Sequence, residues 1–141
     1  MLNHVLRGSA LAAMSAMALS SVQAAELVVY TSQPTAQMEE VIALFNAAHP
    51  EIEVELFRSG TTEVLNKLQA EIAAGNPQPD VLLIADSVAM EQLKAQGVLQ
   101  AYADADVSML PEGQYDPEMF WFGTKLITTG IMYNTAAPMV P

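Results

Sequence analysis

The sequence has no cysteine and few positively charged residues. The lack of cysteine excludes disulfide bonds, thiol catalysis, cysteine metal sites and the acylated cysteine of a lipoprotein. Only five of the 141 residues are lysine or arginine, against sixteen aspartate and glutamate residues. Arg7 is the one charged residue before Ala24, so the chain after Ala24 has a formal charge of −12. This charge disfavours nucleic acid and anionic lipid as partners, because both are bound through basic surfaces.

Common catalytic motifs are absent as well. The sequence has no G-x-S-x-G elbow, no Walker loop and no G-x-G-x-x-G. His49 is the only histidine after Ala24, so a histidine-rich metal site is excluded. The acidic stretch from Asp104 to Glu118 lacks the glycine and glutamate spacing of a calcium loop, and we interpret it as a solvated loop. The sequence therefore predicts no cofactor and no catalytic residues.

The first 24 residues have the pattern of a cleavable export signal. Arg7 precedes an apolar run, Ser9–Leu19, and small or β-branched residues at Val22 and Ala24 fit a signal-peptidase site. A membrane anchor is the alternative, but a span needs about 20 apolar residues, and serines interrupt this run. We therefore predict a secretory signal peptide over residues 1–24 and an exported protein.

Apolar periodicity after Ala24 predicts alternating strands and helices. Leu27–Tyr30 is a continuous apolar run typical of a buried strand, and Val81–Ile84 predicts a third buried strand. Between them, Ile52–Leu56 alternates with glutamates, which predicts a strand with one solvated face near a sheet edge. A helical pattern follows each strand. The predicted helices start near Pro34, after Thr62 and at Asp86 or Ser87. They end by His49, before Gly75 and, after Gln96, at Gly97.

The order βαβαβα predicts an α/β fold, with a mostly parallel open sheet, right-handed crossovers and helices on both faces. The region from Tyr102 to Glu118 is predicted to be a loop with one helical turn at most. Phe120–Phe122 and Leu126–Tyr133 are predicted to be two further strands. Neither is followed by a helix, so the regular alternation ends there.

Three loops follow the carboxyl ends of the predicted strands, where ligands bind in open parallel sheets. Each loop contains small hydroxyl residues and opens a helix, whose free N–H groups suit an anion or oxyanion. A glycine in the second loop allows close approach of a ligand to the backbone. The predicted ligand-binding residues are Thr31, Ser32, Gln33, Ser59, Gly60, Thr61, Thr62, Asp86 and Ser87.

Helix capping is the alternative explanation for these residues, because Ser, Thr and Asp are the preferred N-caps. For any single loop the capping role is favoured. Three convergent loops favour a ligand cleft, and the two roles are compatible. Asp86 is the one carboxylate at a strand end, which makes it the only candidate for binding a metal, another cation or an amine.

Five stretches together resemble a known family. They are ELVVYTSQ from Glu26, FNAAHPEIEVE from Phe45, SGTTEVLNKLQAEIAAGNPQPDVLLIADS from Ser59, LKAQGVLQAY from Leu93 and GIMYNT from Gly130. In this order and spacing they resemble the periplasmic solute-binding proteins of ABC importers. Within this family, the sequence most resembles the subgroup that contains the binders of ferric iron and their relatives that bind phosphonates or sugar phosphates.

The resemblance implies a type II periplasmic-binding-protein fold, in which hinge strands join two α/β lobes that clamp the ligand between them. Residues 25–135 are expected to form the first lobe and end in a hinge strand that contains Tyr133. Residues 136–141 are expected to begin the crossover to a second lobe that this sequence lacks. The expected partners are a small molecule or ion and a membrane permease, and the protein is expected to be a monomer in the periplasm.

The resemblance leaves two classes of solute. Ferric-iron binders often have a histidine where this sequence has Pro34, and their paired tyrosine ligands lie in the second lobe. Their carboxylate after the third strand is matched only approximately by Asp86. The relatives that bind anions resemble this sequence through the hydroxyl loop, residues 59–62, which favours a phosphate-like or phosphonate-like solute.

Two other functions stay open at this point. A small secreted hydrolase could use Asp86 with a serine or threonine, although the sequence offers no partnered base. The chain could also be an inactive truncated fragment, because one lobe alone leaves strand edges and an apolar face uncovered.

Overall fold

Residues 25–132 and Asn134 are described by the computed structural model, and they follow the predicted order of elements. The strands are β1 (Ala25–Thr31), β2 (Ile52–Arg58) and β3 (Val81–Leu83), and the helices are α1 (Thr35–Ala48), α2 (Thr61–Ala73) and α3 (Ser87–Ala95). This confirms the predicted α/β fold class. The proposed signal peptide and the predicted hinge residue Tyr133 lie outside the described residues.

The chain divides into two compact units, which span Met1–Leu83 and Ile84–Pro141. No helix in the described part of the chain is long and apolar enough to cross a membrane.

The first unit contains a three-stranded parallel sheet in the order β2-β1-β3. The central strand β1 has the continuous apolar run, whereas β2 lies at an edge, as its alternating pattern predicted. Glu53 and Glu55 of β2 are exposed, while Ile52, Val54 and Leu56, which alternate with them, are half-buried. The burial pattern of each strand therefore follows from its position in the sheet.

The third strand differs from its prediction. It ends at Leu83 rather than Ile84, and Val81 keeps 42% of its surface exposed, so the strand is not fully buried. The reason is that β3 pairs with β1 on one side and has no strand on its other side among residues 25–132. Asp80 anchors its start, because the Asp80 N–H donates to the Val28 carbonyl and the Asp80 carboxylate accepts from the Val28 N–H, both at 2.9 Å.

Two glycines end helices as predicted. Gly75 has φ +73° and Gly97 has φ +72°, a left-handed conformation that costs a residue with a Cβ about 1–2 kcal/mol. After α2, the Gly75 N–H donates to Ile72 and the Asn76 N–H donates to Glu71, and the same pair of hydrogen bonds closes α3. This is the Schellman arrangement, which satisfies the last carbonyl groups of a helix.

A polar and aromatic cluster joins α2 to β1 and β2. The Tyr30 hydroxyl donates to Glu71 Oε1 at 2.8 Å, and the Lys67 ammonium also pairs with Glu71. The Lys67 ammonium lies 4.9 Å from the centroid of the Tyr30 ring and 5.4 Å from that of Phe57. Burial raises the pKa of Glu71, but the bonds from Lys67 and Tyr30 outweigh it and the pKa is lowered. Glu71 therefore stays ionised and holds the helix on the sheet.

We expect Tyr30→Phe to destabilise the protein by about 0.5–1.5 kcal/mol, because it removes one intramolecular hydrogen bond and keeps the ring. Tyr102→Phe is the matched control, since Tyr102 is 61% exposed and surface changes typically stay within about 0.5 kcal/mol. Urea unfolding followed by circular dichroism measures both. Equal midpoints for the two variants would contradict a stabilising role for the Tyr30–Glu71 bond.

The second unit contains α3 and a long irregular segment. The region from Tyr102 to Glu118 forms turns without a helix, in line with the predicted loop. The predicted strand Phe120–Phe122 is reduced to one antiparallel bridge, between Tyr115 and Phe122.

The predicted strand Leu126–Tyr133 is wrong over its described residues. Residues 126–132 form no strand, and Leu126, Ile127, Ile131 and Met132 expose between 64% and 100% of their surface. An apolar run becomes a strand only where another strand is available to accept its hydrogen bonds, and no described residue pairs with this segment. The sequence pattern showed strand propensity but could not show the absence of a partner.

Asp116 is the polar centre of the second unit. Its side chain is almost fully buried, and it accepts from Lys94 Nζ at 2.8 Å and from the Phe120 N–H at 3.1 Å. Lys94 Nζ also pairs with Glu118 and lies 5.2 Å from the centroid of the Phe120 ring. Burial raises the pKa of Asp116, but the Lys94 ammonium and the Phe120 N–H lower it more. The buried carboxylate thereby ties α3 to the turn at Met119, whose φ of +67° is left-handed.

We expect the ion pair between Lys94 and Asp116 to make the free energy of unfolding depend on pH in the acid range. The folded pKa of Asp116 lies below its ordinary value of 3.8, so its contribution is present above that value and is lost as the pH falls through the lowered folded pKa. Asp116→Asn should therefore lower stability at pH 7 and flatten the loss of stability between about pH 5 and pH 2.

Urea midpoints at pH 7, 5, 3 and 2 measure this effect. Asp104→Asn is the matched control, because Asp104 is exposed and makes no hydrogen bond with a described residue. If Asp116→Asn kept the pH dependence of the wild type, the buried ion pair would not be its source.

Candidate functional site

The carboxyl ends of the three strands lie side by side at one edge of the sheet. Thr31, the last residue of β1, pairs with Arg58 of β2 and with Leu83 of β3. The strand order reverses between β1 and β3, because the chain first adds β2 on one side of β1 and then returns to its other side. Crevices at such reversals are where open α/β sheets bind ligands.

Thr31 is fully buried and its hydroxyl is used within the protein. Thr31 Oγ1 donates to the Leu83 carbonyl at 3.0 Å and accepts from the Gln33 N–H at 3.0 Å. These two bonds fix the first turn of the loop after β1. Of the predicted ligand-binding residues, Thr31 therefore has the clearest structural role.

The structure brings the first two predicted loops together. The Ser59 N–H donates to the Thr31 carbonyl at 3.1 Å, and Arg58 Nε donates to the Gln33 carbonyl at 3.2 Å. The Ser32 N–H donates to Leu83 at 3.0 Å on the other side. Because β1 is central, its exit loop is held by both neighbouring strands.

The capping alternative does not account for the hydroxyl groups of these two loops. The N-caps of α1 and α2 are Pro34 and Gly60, and neither helix has a side-chain capping bond. No described residue forms a hydrogen bond with the hydroxyl group of any serine or threonine in these loops other than Thr31. The serines and threonines whose hydroxyl groups have no such bond are Ser32, Ser59, Thr61 and Thr62. Four hydroxyl donors and two helix starts with free N–H groups therefore remain at this edge of the sheet.

Gly60 is crowded by its own helix. A Cβ at this position would clash with Glu63 Oε2, so the Glu63 carboxylate folds back across the start of α2. A negative charge is favourable at this positive end of the helix dipole. The space beside Gly60 that the sequence assigned to a ligand is thus taken by a carboxylate in this structure.

Asp86 and Ser87 lie in the second unit. Asp86 is the N-cap of α3, and its Oδ1 accepts from the Ala89 N–H at 2.9 Å, which confirms the predicted capping role. Ser87 is exposed at the first position of the helix. The convergence of this third loop with the other two stays a prediction.

Arg58 is a residue that the sequence analysis missed. It ends β2, it is exposed, and it joins the two loops through Gln33. A signal for it was available, since Arg58 is the only arginine after Ala24 and directly precedes the hydroxyl loop.

A comparison with protein families supplies the identification. The family model for the bacterial extracellular solute-binding protein matches residues 31–137, which is most of the chain. The chain belongs to this family. A search of curated proteins finds no match. Members of this family are solute-binding proteins of transport systems and are typically non-catalytic. The recognised resemblance is thereby confirmed at the level of the family.

The described residues of this solute-binding protein give no metal site. No three histidine, aspartate or glutamate side chains in the described part come close enough to hold a metal ion. The second unit has an apolar groove of about 290 Å³ that contains none of the predicted ligand-binding residues. It is lined by Leu110, Pro111, Gln114, Gly123, Thr124, Lys125 and Leu126.

The capping role of Asp86 is open to a direct test. Asp86→Ala should cost about 0.5–2 kcal/mol, whereas Asp86→Asn should cost far less, because asparagine caps helices as well as aspartate. Thermal unfolding of both variants measures the difference. Equal losses in the two variants would mean that the negative charge, rather than the cap, is what stabilises α3.

Proposed function

We propose that this chain is the solute-binding component of an ABC importer. It captures a small solute in the periplasm and delivers it to a membrane permease. Membership of the family supports the solute-binding role, and the pattern of residues 1–24 supports export. The proposed solute is a phosphate-like or phosphonate-like anion, or ferric iron.

The observation that carries this proposal is the pair of adjacent loops at the carboxyl edge of the sheet. They present the hydroxyl groups of Ser32, Ser59, Thr61 and Thr62 beside two helix starts that lack side-chain caps. Hydroxyls and free backbone N–H groups are hydrogen-bond donors, so they suit a solute rich in oxygen. We propose that Asp86 and Ser87 contribute a third loop to this site.

The proposed mechanism is closure of two lobes over the solute, with Tyr133 in the hinge. Binding favours the closed state only to the extent that the solute binds it more tightly than the open state. The described sheet edge supplies contacts from one side of the solute, so we expect this chain alone to bind weakly. The expected Kd is about a millimolar or above, and a millimolar Kd corresponds to a binding free energy of about −4 kcal/mol.

A hydrolase is less well supported. The only described histidine, His49, is the C-cap of α1 and lies just before β2 begins at Ile52. It is therefore at the amino-terminal edge of the sheet, opposite the site, where it lies 3.6 Å from Glu51. Asp86 is engaged as a helix cap. His49 is therefore not placed to act as a base for the hydroxyls of Ser32 or Ser59.

Nuclear magnetic resonance titration of the ¹⁵N-labelled chain tests the proposal, since it detects weak binding and assigns it to residues. Inorganic phosphate, 2-aminoethylphosphonate and ferric citrate are the probes, and citrate alone is the control for the last. We expect one of them to shift or broaden the amide signals of residues 31–33 and 59–62.

The control region is the apolar groove, where the amide signals of Gln114 and Thr124 should not move. Two results would contradict solute binding at the sheet edge. One is a change of amide signals only in this groove, and the other is no change with any probe at a concentration of up to about 10 mM, about ten times a millimolar Kd.

A further inference from the structure

We propose that Arg58 makes this site selective for an oxyanion and against a bare metal cation. The inference rests on the proposed function and decides between the two solute classes that it names. Its basis is the charge, position and hydrogen bonding of Arg58 in the first unit.

Arg58 carries a positive charge that no described carboxylate neutralises. Lys67 pairs with Glu71, and Lys94 pairs with Asp116 and Glu118, whereas Arg58 forms no ion pair in the described part of the chain. Acidic residues outnumber basic ones sixteen to five, so carboxylate partners are abundant. An arginine kept apart from all of them at the edge of the sheet retains its charge for another group.

The guanidinium group also retains most of its donors. An arginine has five N–H donors in a planar fork, and the one on Arg58 Nε donates to the Gln33 carbonyl. No described residue accepts from the four N–H groups on its terminal nitrogens. Paired donors of this kind bind carboxylates and phosphates through two parallel hydrogen bonds. Ser59, the next residue in the chain, carries a hydroxyl group as a further, uncharged donor.

The position of Arg58 is set by a series of hydrogen bonds that starts in the core. Thr31 Oγ1 donates to Leu83, the Gln33 N–H donates to Thr31 Oγ1, and the Gln33 carbonyl accepts from Arg58 Nε. Thr31 is fully buried, so the first member of the series cannot move freely. Thr31 and Gln33 are therefore positioning residues for the guanidinium group.

Glu63 opposes an incoming anion, because its carboxylate already lies across Gly60 at the start of α2. It forms no ion pair with Arg58. An oxyanion that binds here must displace this carboxylate or lie beside it, and either costs affinity. Removing this negative charge should therefore strengthen binding of the oxyanion.

The experiment is titration of the full chain and its variants with inorganic phosphate, with glucose as a neutral probe. We expect Arg58→Gln to weaken phosphate binding about tenfold or more, and Arg58→Lys to give an intermediate loss, since lysine keeps the charge but not the fork. Glu63→Gln should strengthen binding several-fold. Lys125→Gln, which removes one positive charge in the second unit, is the matched control and should have no effect.

The positioning role of Thr31 has its own test. Thr31→Val should weaken phosphate binding in the wild-type background but have no further effect in the Arg58→Gln background. The reason is that both changes remove the same interaction, the one between the positioned guanidinium group and phosphate. Thr31→Ser keeps the hydroxyl and should restore binding. A purely structural loss would instead add to that of Arg58→Gln. Preserved dispersion of the amide signals shows that each variant is folded.

Several outcomes would overturn the inference. They are equal phosphate affinity in Arg58→Gln and the wild type, line broadening by ferric citrate at the sheet edge without any shift from phosphate, and no response to phosphate at all. If glucose shifted residues 31–33 and 59–62 while phosphate did not, solute binding would stand and selectivity for an oxyanion would not.

Discussion

The parallel pairing of β1 with strands on both sides is the constraint on which the first unit depends. It places Thr31 level with Arg58 and Leu83, so the loops that follow β1 and β2 start from one line. The backbone bonds of Ser32 and Ser59 then hold the exit of β1 to its neighbours. The candidate site is in this sense a product of strand register, because a shift of one residue would turn Thr31 out of the core.

Most of the fold was predictable from local patterns. The apolar run of β1, the alternation of β2 and the glycines that end α2 and α3 are signals carried by neighbouring residues, and the structure confirms each of them. The failure at residues 126–132 has a physical cause, since a strand is defined by its partner and a partner is not a local property. The exposure of Val81 has the same origin.

The candidate site was predictable in part. Loop position and hydroxyl content identified the edge of the sheet, but could not tell a buried hydroxyl from an available one. Thr31 and Ser32 are adjacent and chemically alike, yet only Thr31 points its oxygen at Leu83. The role of Arg58 depends on its bond to Gln33, twenty-five residues away along the chain, and on the carboxylates that it does not contact. Both facts come from tertiary structure.

The glutamates of β2 affect how two copies of the protein interact. An edge strand exposes unpaired backbone groups on which another copy can add a strand, and charged side chains are a common protection against this. Glu53 and Glu55 are exposed along the β2 edge, so two copies that approach edge to edge bring like charges together. This repulsion therefore disfavours the extension of the sheet from one copy into the next through β2.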